Sequence, residues 1–308
     1  MIIAHITGGM GNQMFMYAAG LAVATRLNTT LRLNPCENYA SLYRPYCLSC
    51  FPAITERDAA FRETLRISPG NAVLYTLPQP LVSRYRIAGK IYNRILKYIS
   101  KDLKRTMYYS GNIYIPQRSC IYSRDFELIQ DNTYMRGYWE SEKFFSGISD
   151  LVRSKFRFAQ DCFNPELSVK IRSCNSVAIH VRRGDKVNNS GVKASDERYI
   201  RAAAEKISSL TDKPSFFVFS DDIEWCRENL PQIYDTEYTF IDGQTPPQDM
   251  ALMTICRHII AAPSTFSWWG AWLNDNPGKI VIAPDVNLWY TDTKGREDLL
   301  PESWIKIG

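Results

Sequence analysis

The stretch "SVAIHVRRGDK" (residues 176–186) decides the fold. A short apolar run leads straight into a charged turn, without the polar alternation of a half-exposed strand. That is the pattern of a strand buried on both faces. Four further runs of the same kind follow: "SFFVFS" (215–220), "YTFID" (238–242), "HIIAA" (258–262) and "KIVIAP" (279–284). Helical stretches separate them, over residues 196–210, 223–229, 247–256 and 267–273. Asp196 ahead of "ERYIRAAAEKI" and the Pro246–Pro247 pair are residue types that favour helix starts. Buried strands alternating with helices predict an α/β fold with a doubly wound, Rossmann-like parallel sheet. Ligands of such sheets bind at the carboxyl ends of strands, beside the point where the strand order reverses. Three places qualify: "RRGD" after the first run, "DD" after the second and "PSTFS" after the fourth.

Working towards the N-terminus, the pattern is less regular. A strand over residues 2–6 precedes the glycine turn "GGMGNQMFMY" (8–17), a helix over 13–27 and a second strand near 30–33. Residues 50–149 read as mostly helical, interrupted by prolines. The organisation predicted is an N-terminal α/β domain with a helical insertion, residues 1–160, and a C-terminal nucleotide-binding domain, residues 161–308.

The glycine turn fails the standard phosphate-binding patterns. Gly9 and Gly11 fit the first two positions of G-x-G-x-x-G, but Met14 takes the third and Asn34 stands where a ribose-binding acid is expected. The G-K-[ST] ending of a P-loop is also missing. What remains is a loop of three glycines from which Asn12 and Gln13 present two neutral amides. Amides both donate and accept, which suits a hydroxyl-rich ligand such as a sugar; the alternative is a tight turn alone.

The charged turns suggest a different ligand. In an extended chain His180, Arg182 and Gly184 face one way and Val181, Arg183 and Asp185 the other. Adjacent arginines would then grip a diphosphate from two sides, each guanidinium binding oxygens in bidentate fashion. The alternative is a surface ion pair of Arg183 with Asp185. Ser264, Thr265 and Ser267 fall where a helix begins, offering N–H groups and hydroxyls to an anion, or simply capping that helix. Trp268, Trp269 and Trp272 read as helix packing. Asp221 and Asp222 could accept from the N1–H and 2-amino group of guanine, or cap the helix after them. The sequence contains no D-x-D, which argues against a sugar-nucleotide site built on a divalent metal, so no metal and no cofactor is expected.

Composition narrows the class. With 308 residues, 45% apolar, 13% aromatic and 22% charged, the chain has the make-up of a folded soluble protein. No run approaches the length of a membrane span, and the start lacks a signal-peptide pattern. A net charge of +5 is too small to argue for nucleic acid. Eight scattered cysteines, with one lone C-x-x-C at Cys47 and Cys50, read as structural thiols of a reducing compartment. Between Arg84 and Arg105 basic residues dominate a helical apolar pattern. This reads as a solvated face or as a peripheral contact with an anionic membrane.

Taken in order, "GGMGNQMFMYA", "GYWESEKFF" (137–145), "IHVRRGD", "FSDDIEWC" and "STFSWWGAWL" resemble the inverting α1,2-fucosyltransferases of glycosyltransferase family 11. The resemblance implies a GT-B-like fold of two Rossmann-like domains and GDP-β-L-fucose as donor. It further implies metal-independent transfer to the 2-hydroxyl of a terminal β-galactoside. Arg182 and Arg183 fall in the motif that holds the diphosphate, with Ser264, Thr265 and Ser267 near the β-phosphate and His180 and Asp221 at the nucleoside. Asn12, flanked by Gly11 and Gln13, falls where donor and acceptor meet. Lys186, where the family commonly has Tyr, adds a third cation; Glu140 replaces a usual Gln and Pro263 a usual Asn. Asp185 is the candidate base, with Asp196 and Glu197 nearby, or else only orients the arginines. The expected location is cytoplasmic, at or near the inner membrane surface. A protein O-fucosyltransferase, another GDP-sugar transferase and a non-catalytic sugar-nucleotide binder are the rival readings.

Overall fold

The computed structural model describes residues 1–35, 45–68, 113–114, 120–184, 195–290 and 293–308. Asp185, Lys186 and the basic stretch 84–105 lie outside them. Internal packing divides the chain into two units: Met1–Ser49 with Ala53–Lys155, and Cys50–Pro52 with Phe156–Gly308. The three-residue excursion into the second unit follows from Phe51, whose buried ring packs on Phe156 at 5.0 Å and Phe158 at 4.9 Å.

The first unit holds strands β1 (Ile2–Ile6), β2 (Leu31–Pro35), β3 (Ile113–Tyr114) and β4 (Thr133–Met135) in one parallel sheet of order β2-β1-β4-β3. Helix α1 (Met10–Arg26) covers one face, and Met14, Phe15, Tyr17 and Ala18 are fully buried on it. A Cβ on Gly20 would stand 3.0 Å from both Ala4 Cβ and Leu31 Cδ1, so this residue allows the close approach of helix and sheet. The short α2 (Phe61–Ile67) puts Ile67 in a cluster with Ile3 and Tyr134, and α3 (Ser149–Lys155) ends the unit. Of the middle expected to be mostly helical, residues 69–112 and 115–119 lie outside the described residues; among the described ones β3 and β4 are strands, and turns of 3-10 helix replace longer helices at residues 124–128, 142–144 and 146–148. A three-residue strand is too short to show an alternating pattern.

The second unit contains α4 (Pro165–Arg172), β5 (Ser176–Val181), α5 (Glu197–Leu210), β6 (Ser215–Ser220) and α6 (Ile223–Ile233). It continues with β7 (Tyr238–Phe240), α7 (Pro246–Ile255), β8 (His258–Ile260), α8 (Thr265–Leu273), β9 (Val281–Pro284) and β10 (Ile305–Ile307). The six strands are parallel in the order β7-β6-β5-β8-β9-β10, the Rossmann order. The strand sequence leaves β5 in one direction and returns at β8 on its other side, so the switch point lies between these two. Val177, Ile179, Val181, Val218, Ile260 and Ile282 pack against Tyr199, Ile200, Ala203 and Ile207 of α5 in one buried cluster. The fold is thus α/β with two parallel-sheet units, the GT-B architecture. No helix among the described residues is long and apolar enough to cross a membrane.

Candidate functional site

Residues 182–184 leave β5 and residues 263–265 leave β8, so both turns open on the switch-point crevice of the second unit. The base of the β5 turn is fastened by Ser195. Arg182 N–H donates to its hydroxyl at 3.0 Å, and Ser195 N–H donates to Arg182 C=O at 3.0 Å. The arginines do not spread to opposite sides as a continuing strand would have required, because β5 ends at Val181 and both turn towards the end of β6.

Arg182 Nη1 lies 2.6 Å from Asp221 Oδ2, and Asp221 Oδ1 accepts from Arg183 N–H at 2.9 Å. A Cβ on residue 184 would fall 2.4 Å from that same Asp221 Oδ2. Gly184 is therefore needed for the carboxylate to reach the guanidinium. Arg183 Nε is 3.4 Å from Asp222 Oδ2, and its guanidinium carbon sits 3.8 Å above the Trp225 ring. Trp225 is a component that sequence reasoning missed, because a Trp early in a helix reads as packing. Side-chain exposures of 22% for Arg182 and 20% for Arg183 leave both within reach of a ligand. Two fixed cations at the carboxyl edge of the sheet can receive an anion with a geometry set in advance.

Several assignments change. Asp221 is engaged with the arginine turn rather than held ready for a nucleobase, while Asp222 caps α6 by accepting from Trp225 N–H at 3.4 Å. Ser267 is fully buried, and its hydroxyl accepts from Ala262 N–H at 2.9 Å. It closes the β8–α8 turn and does not reach a ligand. Helix α8 begins two residues earlier than expected because Ser264 caps it, accepting from Phe266 N–H at 3.3 Å. Thr265 is half-exposed at the first helical position. His180 is buried with its ring 5.3 Å from that of Phe266, between β5 and α8. Asp196, an alternative base, caps α5 through Arg198 N–H at 2.8 Å and Tyr199 N–H at 3.2 Å. Burial pushes its pKa up, but the hydrogen bonds from the Arg198 side chain and from these amides outweigh that and lower it.

A carboxylate that the sequence reading passed over stands at the same carboxyl edge. Asp249 lies in the first turn of α7, which follows β7. Burial, with the Asp242 charge added to it, pushes its pKa up to about 7. An acid in a first helical turn looks like an ordinary complement to the helix dipole. Its half-buried position beside Asp242 marks it out, since a carboxyl partly withdrawn from water next to another charge at a ligand edge is an unfavourable placement that binding can justify.

In the first unit, the glycine turn follows β1 and residues 136–141 follow its neighbour β4, so both leave the same edge of the sheet. Of the three glycines of this turn, Gly8 alone uses positive φ, at 78°, and a Cβ there would stand 3.1 Å from Asn12 Nδ2. Gly9 caps α1, so Gly11, Asn12 and Gln13 lie in its first turn and not in a loop. Gly11 is buried there. Gln13 is corrected outright: its amide donates to Gly8 C=O and Pro45 C=O, both at 2.8 Å, and accepts from Cys47 N–H at 2.8 Å. With its donors and acceptor committed to backbone, it ties down residues 45–47. Asn12, half-exposed, remains at the mouth of the turn. Beyond β4, Trp139 adopts φ 55°, an outlier for a large side chain. Its ring is locked against Phe126 at 5.6 Å and Phe144 at 5.4 Å. The buried Glu140 accepts from the Cys120 thiol at 3.1 Å.

The model of glycosyl transferase family 11 matches residues 102–308. Among curated proteins, an α-1,2-colitosyltransferase of Escherichia coli is 31% identical over 99% of this chain and 98% of its own. The O-antigen biosynthesis glycosyltransferase WbnK of the same organism is 28% identical over 98% and 99%. Among solved structures, POFUT1 in complex with GDP-fucose superposes with a TM-score of 0.50 at 15% identity, covering 91% of this chain and 97% of that one, a likeness of fold.

Proposed function

Because the chain belongs to glycosyltransferase family 11, we propose that it moves L-fucose from GDP-β-L-fucose to the 2-hydroxyl of a terminal β-galactoside, with inversion and without a metal. The observation that carries this reading is the paired Arg182 and Arg183, fixed by Asp221, Asp222 and Trp225 at the switch point. As the acceptor hydroxyl attacks the anomeric carbon, the bond to the diphosphate breaks and its electron pair leaves with the phosphate oxygen. The arginines and the α8 start, through Ser264 and Thr265, meet that growing charge in place of a metal. Asp249 takes the part first given to Asp221, accepting from guanine N1–H and its 2-amino group. Asn12 and the turn around Gly11 serve the acceptor side. Asp185 keeps its proposed role as base and Lys186 as a third cation on sequence grounds alone, and the basic stretch 84–105 is a solvated face or, alternatively, a peripheral membrane contact.

A second donor is favoured by the colitosyltransferase relative, which aligns over nearly its whole length. Colitose is fucose without its 3-hydroxyl, so both sugars suit the same diphosphate site. Release of GDP from each donor, in EDTA, with and without lactose or N-acetyllactosamine, tests both readings. Acceptor-stimulated release from GDP-fucose, with a 2-linked product by NMR, is expected. Release from GDP-colitose alone would transfer the assignment to colitose. Failure of either donor to bind would end the reading.

A further inference from the structure

A cavity of about 550 Å³ with a mixed polar and apolar lining opens on the first unit beside the last turns of α1, lined by Thr25, Tyr122, Glu127, Lys143, Ser146 and Gly147 among others. Its floor is aromatic: the half-buried Tyr122 ring packs on Phe144 at 5.6 Å and Phe126 at 6.1 Å, and both of these are buried. Three of its polar groups are linked to one another. Glu127 receives the Tyr122 hydroxyl and lies 3.4 Å from Arg26 Nε. Arg26 is itself held by the carbonyls of Phe126 at 3.2 Å and Ile129 at 3.1 Å. Lys143 is exposed at the rim, and Gly147 adds no side chain.

An aromatic face for C–H groups, a rigid carboxylate and an ammonium for hydroxyls, and small residues that admit a ring suit a pyranose. Glu127 in the lining stands against an anionic sugar and favours a neutral one. The position decides which sugar. The cavity adjoins Ala22, Thr25 and Arg26 at the C-terminal end of α1, whereas the glycine turn is at its N-terminus. At 1.5 Å per residue the two are roughly 20 Å apart along the helix, several sugar units away.

We propose that this cavity is a remote acceptor subsite, holding a neutral sugar several units inward from the fucosylated end of an extended glycan chain. The inference rests on the transferase reading above and narrows its substrate to oligomeric or polymeric acceptors. Kinetics with a β-galactosyl disaccharide and a hexasaccharide ending in that disaccharide test it. The expected KM for the hexasaccharide is about tenfold lower in the unmodified protein, an increment of the size one aromatic–sugar contact supplies. Tyr122→Ala and, at the rim, Lys143→Ala should remove that advantage while leaving kcat and the disaccharide KM unchanged. Absence of a length effect, or equal losses on both acceptors, would overturn the subsite. Saturation-transfer NMR of the hexasaccharide without donor separates this failure from failure of the transferase reading. Signal on the inner sugars, lost in Tyr122→Ala or in Lys143→Ala, supports the subsite even if no product forms. Signal confined to the terminal sugar, or no signal, contradicts it.

Discussion

Arg182→Ala is expected to lower kcat/KM for the GDP-sugar by two to three orders of magnitude. Removing a fixed donor from a site of developing negative charge costs about 3–4 kcal/mol of transition-state stabilisation. Here the loss is compounded, because Asp221, at 2.6 Å, would be left facing the diphosphate with its partner gone. The effect should fall more on kcat than on KM, since the phosphate gains charge as the sugar leaves. Asp221 would still hold Arg183 N–H, so the turn should keep its form and the melting temperature should change little. Arg182→Lys tests the same point more finely, since an ammonium keeps the charge but loses the planar fork. Activity of Arg182→Ala within threefold of the unmodified protein would remove the arginine from the mechanism.

Asp249→Asn is expected to act in opposite directions on binding and stability. A carboxylate accepting from guanine makes charge-assisted bonds worth about 1.5–3 kcal/mol, so its loss should weaken GDP by about ten- to hundredfold. Inosine diphosphate, which lacks the 2-amino group, should lose much less on the same substitution. The fold should gain, and the sign follows from the raised pKa. Between the ordinary value of 3.8 and about 7, the folded state holds a proton that the unfolded state has released, so stability falls as pH rises through that window. Asparagine removes the penalty, and partial exposure limits the gain at pH 8 to about 1–2 kcal/mol. In the unmodified protein, GDP affinity should decline as pH drops below about 7, because protonation removes the acceptor. Unchanged GDP affinity in a stabilised variant would leave Asp249 as a merely buried acid.

The two substitutions also mark what the sequence could and could not convey. The parallel sheet of the second unit was legible because five apolar runs, most of them buried on both faces, alternate with capped helices. The carboxyl-end rule then led to the arginine turn. What each polar group touches was not legible. Ser267 and Gln13 belong to the residue types that bind phosphates and sugars, and both are consumed by backbone groups only folding brings near: Ala262 N–H for one, Pro45 C=O and Cys47 N–H for the other. Asp221 and Asp222 were equivalent as letters, and the reach of each to a different arginine separates them. Trp225 and Asp249 stand out through a stacking contact and a half-buried charge, neither of which has a spacing signature.

If the switch point of the second unit binds a diphosphate through its arginines, calorimetric titration of the unmodified protein with GDP and with GMP, both in EDTA, separates the two nucleotides. GDP should bind at least about a hundredfold more tightly, since the β-phosphate is the group the arginines and the α8 start receive and such charge-assisted contacts are the strong ones. Equal affinity for GDP and GMP would contradict the account, because the site would then be reading the nucleoside alone.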